Sequence, residues 1–142
     1  MPATRATGRL RPVLIARRPL TAMLLPVPIV CFIGTLLTDI AYLNSGGNLV
    51  WLDFSSWLLL AGLIFGAIAA VLLFVDTVRS SVSWVAFIAL IAAWLVELLS
   101  MFVHQRDGWT AVAGLGLILS VVGAALVLIA GWLRRPTLEA LR

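Results

Sequence analysis

The chain holds six acidic side chains and a single histidine. Three of these groups have a spacing that suits proton chemistry. His104 follows Glu97 by seven residues, two helical turns, so both lie on one face of a helix with Ser100 and Met101 between them. Asp39 sits late in an earlier apolar run, and Arg106 and Asp107 follow His104 directly. A carboxyl group beside an imidazole can pass protons near neutral pH. Acidic residues inside apolar runs are costly there, and by default they mark function. Asp39, Glu97, His104 and Arg106 therefore form one candidate polar site, with proton conduction or contact with a quinone as its sharp reading. The plain reading is a structural network, with Glu97 neutral by burial or paired with Arg106. Asp76 is a further candidate, close to Arg79 at the end of another apolar run. Asp53, followed by Ser55 and Ser56, reads as a helix start, and Asp107 as a turn residue.

Other chemistries fit poorly. All ten basic residues are arginine, which rules out a lysine Schiff base. Cys31 is the only cysteine, so no internal disulfide forms. A haem with two histidine ligands needs two histidines, and no zinc spacing occurs. Ser100, His104 and Asp107 form a trio that any polar helix end can offer, without a nucleophile elbow. No cofactor and no metal is expected, and no enzymatic activity.

The elements that must position these residues are set by composition. Of 142 residues, 63% are hydrophobic and 11% charged, with a mean hydropathy of +1.14. Soluble domains carry about 25% charged residues. Four stretches reach the roughly 20 apolar residues that a bilayer crossing needs: 20–43, 53–75, 82–103 and 110–133. Short polar connections between them force neighbouring helices to run antiparallel. The fold class is all-α, an integral membrane four-helix bundle over residues 19–133. A basic tail (1–18) precedes it, and a short tail (134–142) follows.

Arginines set the orientation. Arg5, Arg9, Arg11, Arg17 and Arg18 precede the first span, Arg79 lies between the second and third, and Arg134, Arg135 and Arg142 follow the fourth. Only Arg106 falls on the other side, a bias that places both chain ends in the cytoplasm. The +4 net charge is explained by this topology, so no nucleic-acid partner is expected. Trp51, Trp57, Trp84, Trp109 and Trp132 lie near span ends, where an aromatic belt belongs, and Trp94 is the exception. The first run is long, contains Pro26 and Pro28, and lacks a cleavage site, so it reads as a retained helix rather than a signal peptide. The basic tail reads either as a short interfacial helix on the anionic inner surface or as a disordered segment.

Small residues decide how such helices meet, since apolar character drives no association in lipid. Gly62, Gly66 and Ala70 form one stripe; Gly116, Ser120 and Ala124 form another; Ala89, Ala93 and Glu97 share a third. Packing within the bundle is the expectation, and pairing with another protomer or subunit the alternative.

Several segments resemble one known family. They are Met23 to Ile29, Cys31 to Gly34, Leu37 to Tyr42, Asp53 to Ser55, Trp57 to Leu63, Val103 to Thr110 and Gly131 to Leu133, with Asp76 between. Together they resemble the domain of unknown function 2231 family, small bacterial membrane proteins, over about residues 19 to 133. The resemblance implies a four-helix bundle in the bacterial cytoplasmic (inner) membrane with no assigned activity. It also implies a redox protein of the membrane or periplasm as a neighbour, by association. Family members begin the domain with histidine-proline pairs and carry a histidine in the third helix. This chain has Arg18-Pro19 and no histidine before His104. A family function resting on those histidines would be lost here.

The leading expectation is a non-enzymatic subunit or anchor of a redox-associated membrane complex. A small proton- or solute-handling protein using Glu97 and Asp39 is the second, and a haem- or quinone-binding protein the third. The topology is directly testable. Cysteines placed at Ser45 and Gln105 should label from outside with an impermeant reagent, and one at Ser80 should not. The reverse pattern would overturn the orientation.

Overall fold

A computed structural model describes residues 19–79, 84–106 and 112–133. The two tails lie outside the described residues, as do residues 80–83 and 107–111, Asp107 and Trp109 among them. Among those described, every regular element is a helix: α1 (Pro19–Leu24), α2 (Pro26–Asn44), α3 (Leu49–Arg79), α4 (Trp84–His104) and α5 (Leu115–Leu133). Four stretches are long and apolar enough to cross a membrane: Leu20–Asn44, Leu49–Arg79, Trp84–His104 and Leu115–Leu133.

Proline accounts for the division of the first span. Pro26 and Pro28 lack N–H donors, so α2 starts afresh after Leu25. Leu25 itself stays helical and still donates to Thr21 O at 3.0 Å. The two pieces therefore act as one crossing with a weakened joint.

The turn from α2 to α3 follows from its glycines. Gly46 and Gly47 have φ of 71° and 89°, a region open to glycine at no steric cost. Gly47 N donates to Tyr42 O at 3.0 Å and Gly46 N to Leu43 O at 3.4 Å, the bond pattern of a Schellman ending. Asn48 then caps α3, its Oδ1 accepting from Val50 N at 3.0 Å. This corrects the sequence expectation that Asp53 starts the helix. Asp53 lies in the second turn, because Asn48 already supplies the cap. At its other end α3 continues through Asp76 to Arg79, where a polar turn was expected from Asp76 onward. Asp76 accepts from the Thr21 hydroxyl of α1 at 2.8 Å and Thr77 is buried with its hydroxyl on Leu73 O at 2.7 Å, so this last turn is packed into the bundle rather than left as a loop.

Buried positions recur every three or four residues on each helix. On α3 they include Leu52, Ser55, Leu59, Gly62, Gly66, Ala69 and Leu73. On α4 they are Ala86, Leu90, Ala93, Glu97, Ser100 and His104, and on α5 they include Gly116, Ser120, Gly123, Val127 and Ala130. A period of 3.5 keeps one seam facing the partner helices in a left-handed bundle. Each helix packs on its chain neighbours, and α5 closes the ring against α2. The outward faces carry leucine, isoleucine, valine and phenylalanine, Met23 and Trp57 among the most exposed. Water would not tolerate this surface, and lipid does.

The small residues sit inside the bundle. Gly62 faces α2, where a Cβ would collide with the Phe32 ring and come within 3.0 Å of Cys31 Cβ. Gly66 gives the Trp94 indole room to lie against α3, and Trp94 Nε1 donates to Leu63 O at 2.9 Å. That bond explains a tryptophan deep in a span: its one polar atom has a partner. Ala70, Gly116, Ser120 and Ala124 are buried as well. Trp84 meets Phe74 and Phe87 edge to face and Phe74 and Phe87 are tilted to each other, with centroids 5.6–6.2 Å apart, joining α3 to α4 at the Arg79 end.

Candidate functional site

Seven polar side chains on the seam fall in one half of the bundle: Thr35, Asp39, Ser55, Glu97, Ser100, His104 and Ser120, all buried. They lie in the half of the seam toward the α2–α3 turn and the end of α4. The other half has an apolar centre, with Phe32, Leu63, Leu90 and Val127, and its buried polar residues Thr21 and Thr77 lie at its far end. Toward the nearby turns, Tyr42, Leu52 and Val112 form a second apolar cluster, one turn beyond Asp39 and Ser55. The polar layer thus lies between two apolar plugs.

Asp39 is the centre of the layer. Its Oδ1 accepts from Ser55 Oγ of α3 at 2.5 Å and faces His104 Nε2 of α4 at 2.9 Å. Its Oδ2 accepts from Ser120 Oγ of α5 at 2.5 Å. One carboxylate on α2 therefore binds the other three helices. Thr35, one turn earlier, turns its hydroxyl to Cys31 O at 3.1 Å and stays out of the network.

The histidine is fixed at both nitrogens. Nδ1 lies 2.9 Å from Ser100 O. A carbonyl only accepts, so Nδ1 carries a hydrogen. Nε2 then shares one proton with Asp39 Oδ1. Whether that proton sits on nitrogen or oxygen, the pair holds the same number of protons and no net charge. Both side chains are fully covered.

Glu97 lies two turns below His104 on α4 and is fully buried. Among the described residues, neither of its carboxyl oxygens has a hydrogen-bond partner. Its space is supplied by Gly123 of α5: a Cβ there would overlap the carboxyl group and sit 2.8 Å from Glu97 Cγ. An ionised carboxylate in such a place goes uncompensated, at a cost of several kcal/mol. A neutral acid leaves its hydroxyl without an acceptor. Packing satisfies neither form.

Of the residues singled out in the sequence, Asp39 and His104 are in direct contact, and Glu97 is buried beneath them. Arg106 is not part of the cluster. It is exposed, two residues past His104 and turned away from the seam, so the pairing of Glu97 with Arg106 does not occur. Asp76 lies at the opposite end of the bundle, where its Oδ2 accepts from the buried Thr21 hydroxyl at 2.8 Å. Sequence reasoning missed three participants. In the sequence Ser55 reads as part of a helix start and Ser120 as a small residue of a packing stripe, and Gly123 belongs to no stripe named there. The seam spacing would have found both serines. The same spacing puts Gly123 on the α5 seam, but a glycine in an apolar run does not say which side chain it makes room for. Among the described residues, no group of three or more metal-binding side chains converges.

A family model described as "Predicted membrane protein (DUF2231)" matches residues 17–134. No curated protein and no solved structure matches the chain.

Proposed function

Starting from a chain that belongs to the domain of unknown function 2231 family of predicted membrane proteins, we propose that it is a small proton-handling protein of the membrane. Asp39, His104 and Glu97 hold the exchangeable protons. One observation carries this reading: Glu97 is fully buried with both oxygens unpartnered. The hydrogen bonds of Asp39 give the bundle a structural reason to keep a carboxylate on α2. No such reason exists for Glu97, which adds cost and no contact that glutamine or leucine could not replace. A group that takes up and releases a proton accounts for it. The arginine bias supports an orientation with both chain ends in the cytoplasm and the polar layer near the outer face. The reading assigns no enzymatic reaction to the chain.

Glu97→Gln tests it. The variant should still assemble, since an amide of nearly the same volume fills the space beside Gly123 and cannot ionise. Proton uptake after a pH jump, measured on the full chain in lipid nanodiscs, should fall by at least about tenfold. Unchanged uptake, with no change in the carboxylic-acid region of the infrared difference spectrum, would falsify the proposal.

A second reading is a membrane subunit or anchor that assembles with a redox or transport complex. Asp39 favours it, because one residue ties all four crossings together. Under that reading Glu97→Gln leaves proton uptake intact and instead changes which proteins co-purify in mild detergent.

A further inference from the structure

Apolar clusters flank the polar layer on both sides along the bundle axis, which favours entry from the side. A groove of about 400 Å³ opens between α3 and α4. Its mouth, at the end carrying the α2–α3 turn, is polar, with Asp53 and Gln105 both exposed. Its walls are Trp57, Leu60 and Met101, and it reaches His104. At roughly 30 Å³ per molecule, the groove has room for on the order of ten waters. His104 is the one residue that belongs both to the groove and to the buried cluster.

We propose that protons reach the Asp39–His104 pair sideways through this α3–α4 groove, with the His104 imidazole as its gate. The inference rests on the proton-handling reading and adds the route. In the structure the gate is shut: the imidazole is fully covered and bound at both nitrogens. Exchange requires the ring to turn toward the groove, away from Asp39. For release, the Nε2–H bond then breaks and an O–H bond forms to a groove water, which carries the positive charge out. The neutral ring keeps its Nδ1 hydrogen. Uptake is the reverse. The titratable groups facing His104 are Asp39 from α2, Asp53 from α3 across the groove, and Glu97 from its own helix. Among the described residues α5 presents none, only Ser120. Asp53 at the mouth raises the local concentration of protons and other cations.

The experiment uses the full chain with Cys31→Ala, so that each added cysteine is unique. Met101→Cys lines the groove, and Ala113→Cys is exposed at the same end, beside α5 rather than on the groove. Each is labelled with a bulky thiol reagent, and proton uptake is timed after a pH jump in nanodiscs. The label on Met101→Cys should slow uptake about tenfold or more against the unlabelled variant, and the label on Ala113→Cys should leave the rate within about twofold. If Met101→Cys does not assemble, Gln105→Cys at the exposed mouth replaces it. Equal rates with and without the groove label, while Glu97→Gln still abolishes uptake, would sink the route and leave the proton-handling reading standing. Slowing by both labels alike would also overturn it. Absence of any Glu97-dependent uptake in the unlabelled protein would remove both.

Discussion

Asp39→Ala should destabilise the bundle by about 3–5 kcal/mol, more than any other single change in the polar layer. Three donors from three helices meet that carboxylate: Ser55, His104 and Ser120. Interhelical hydrogen bonds in membranes average only about 0.6 kcal/mol each, so the bonds alone give roughly 2 kcal/mol. The larger part comes from what remains. His104 loses the carboxylate that shares its Nε2 proton, and among the described residues no other acid reaches Nε2, only the Ser55 hydroxyl at 3.2 Å. Asp39→Asn should cost far less, because an amide oxygen still accepts and the serine hydroxyls can turn. The same variant should lose proton exchange at the pair. Unfolding titrations in mixed micelles give both values. A loss below about 1 kcal/mol for Asp39→Ala would mean that the four helices hold together without the central carboxylate.

The second large effect is expected at a residue with no side chain. Gly123→Ala places a methyl group where the Glu97 carboxyl now lies. Overpacking of a tight core typically costs about 1–3 kcal/mol, and here the nearest atoms belong to a side chain that must change rotamer. The cost should therefore be largely repaired by Glu97→Ala in the same chain, which vacates the space. Glu97→Gln has nearly the volume of glutamate and should not repair it. A double-mutant cycle separates these outcomes, since contacting residues depart from additivity by about 0.5–3 kcal/mol. Strict additivity of Gly123→Ala and Glu97→Ala would show that the two positions do not touch.

Much of the fold was legible because lipid imposes few solutions. Apolar run lengths marked four crossings, and short connections made them antiparallel. The seam was legible in part: the stripe from Gly62 to Ala70 faces inward, and Glu97 and His104 share a face. Helix ends were less legible. Asn48, rather than Asp53, caps α3, since two glycines ahead of it end α2 so tightly that the next helix starts at once. Within the site, the sequence offered the ionisable groups and not their partners. Serine in an apolar run reads as a small residue, and only the three-dimensional seam turns Ser55 and Ser120 into donors for Asp39. Arg106 misled because nearness in sequence to His104 suggested nearness in space. The helix α4 ends at His104, and the turn that follows carries Arg106 to the exposed surface.

The vertical offset between His104 and Glu97 has an electrical meaning. Seven residues at 1.5 Å each separate them by about 10 Å along the axis, roughly a third of a 30 Å hydrocarbon layer. On the proton-handling reading, a proton moving between the two crosses that share of the transmembrane voltage. A full crossing is worth about 2.3 kcal/mol per charge at 100 mV, so this step is worth about 0.8 kcal/mol. Occupancy of Glu97 would then respond to membrane potential about fourfold per 100 mV, alongside its response to proton concentration. A bundle with no open pore could in this way sense both components of the proton-motive force.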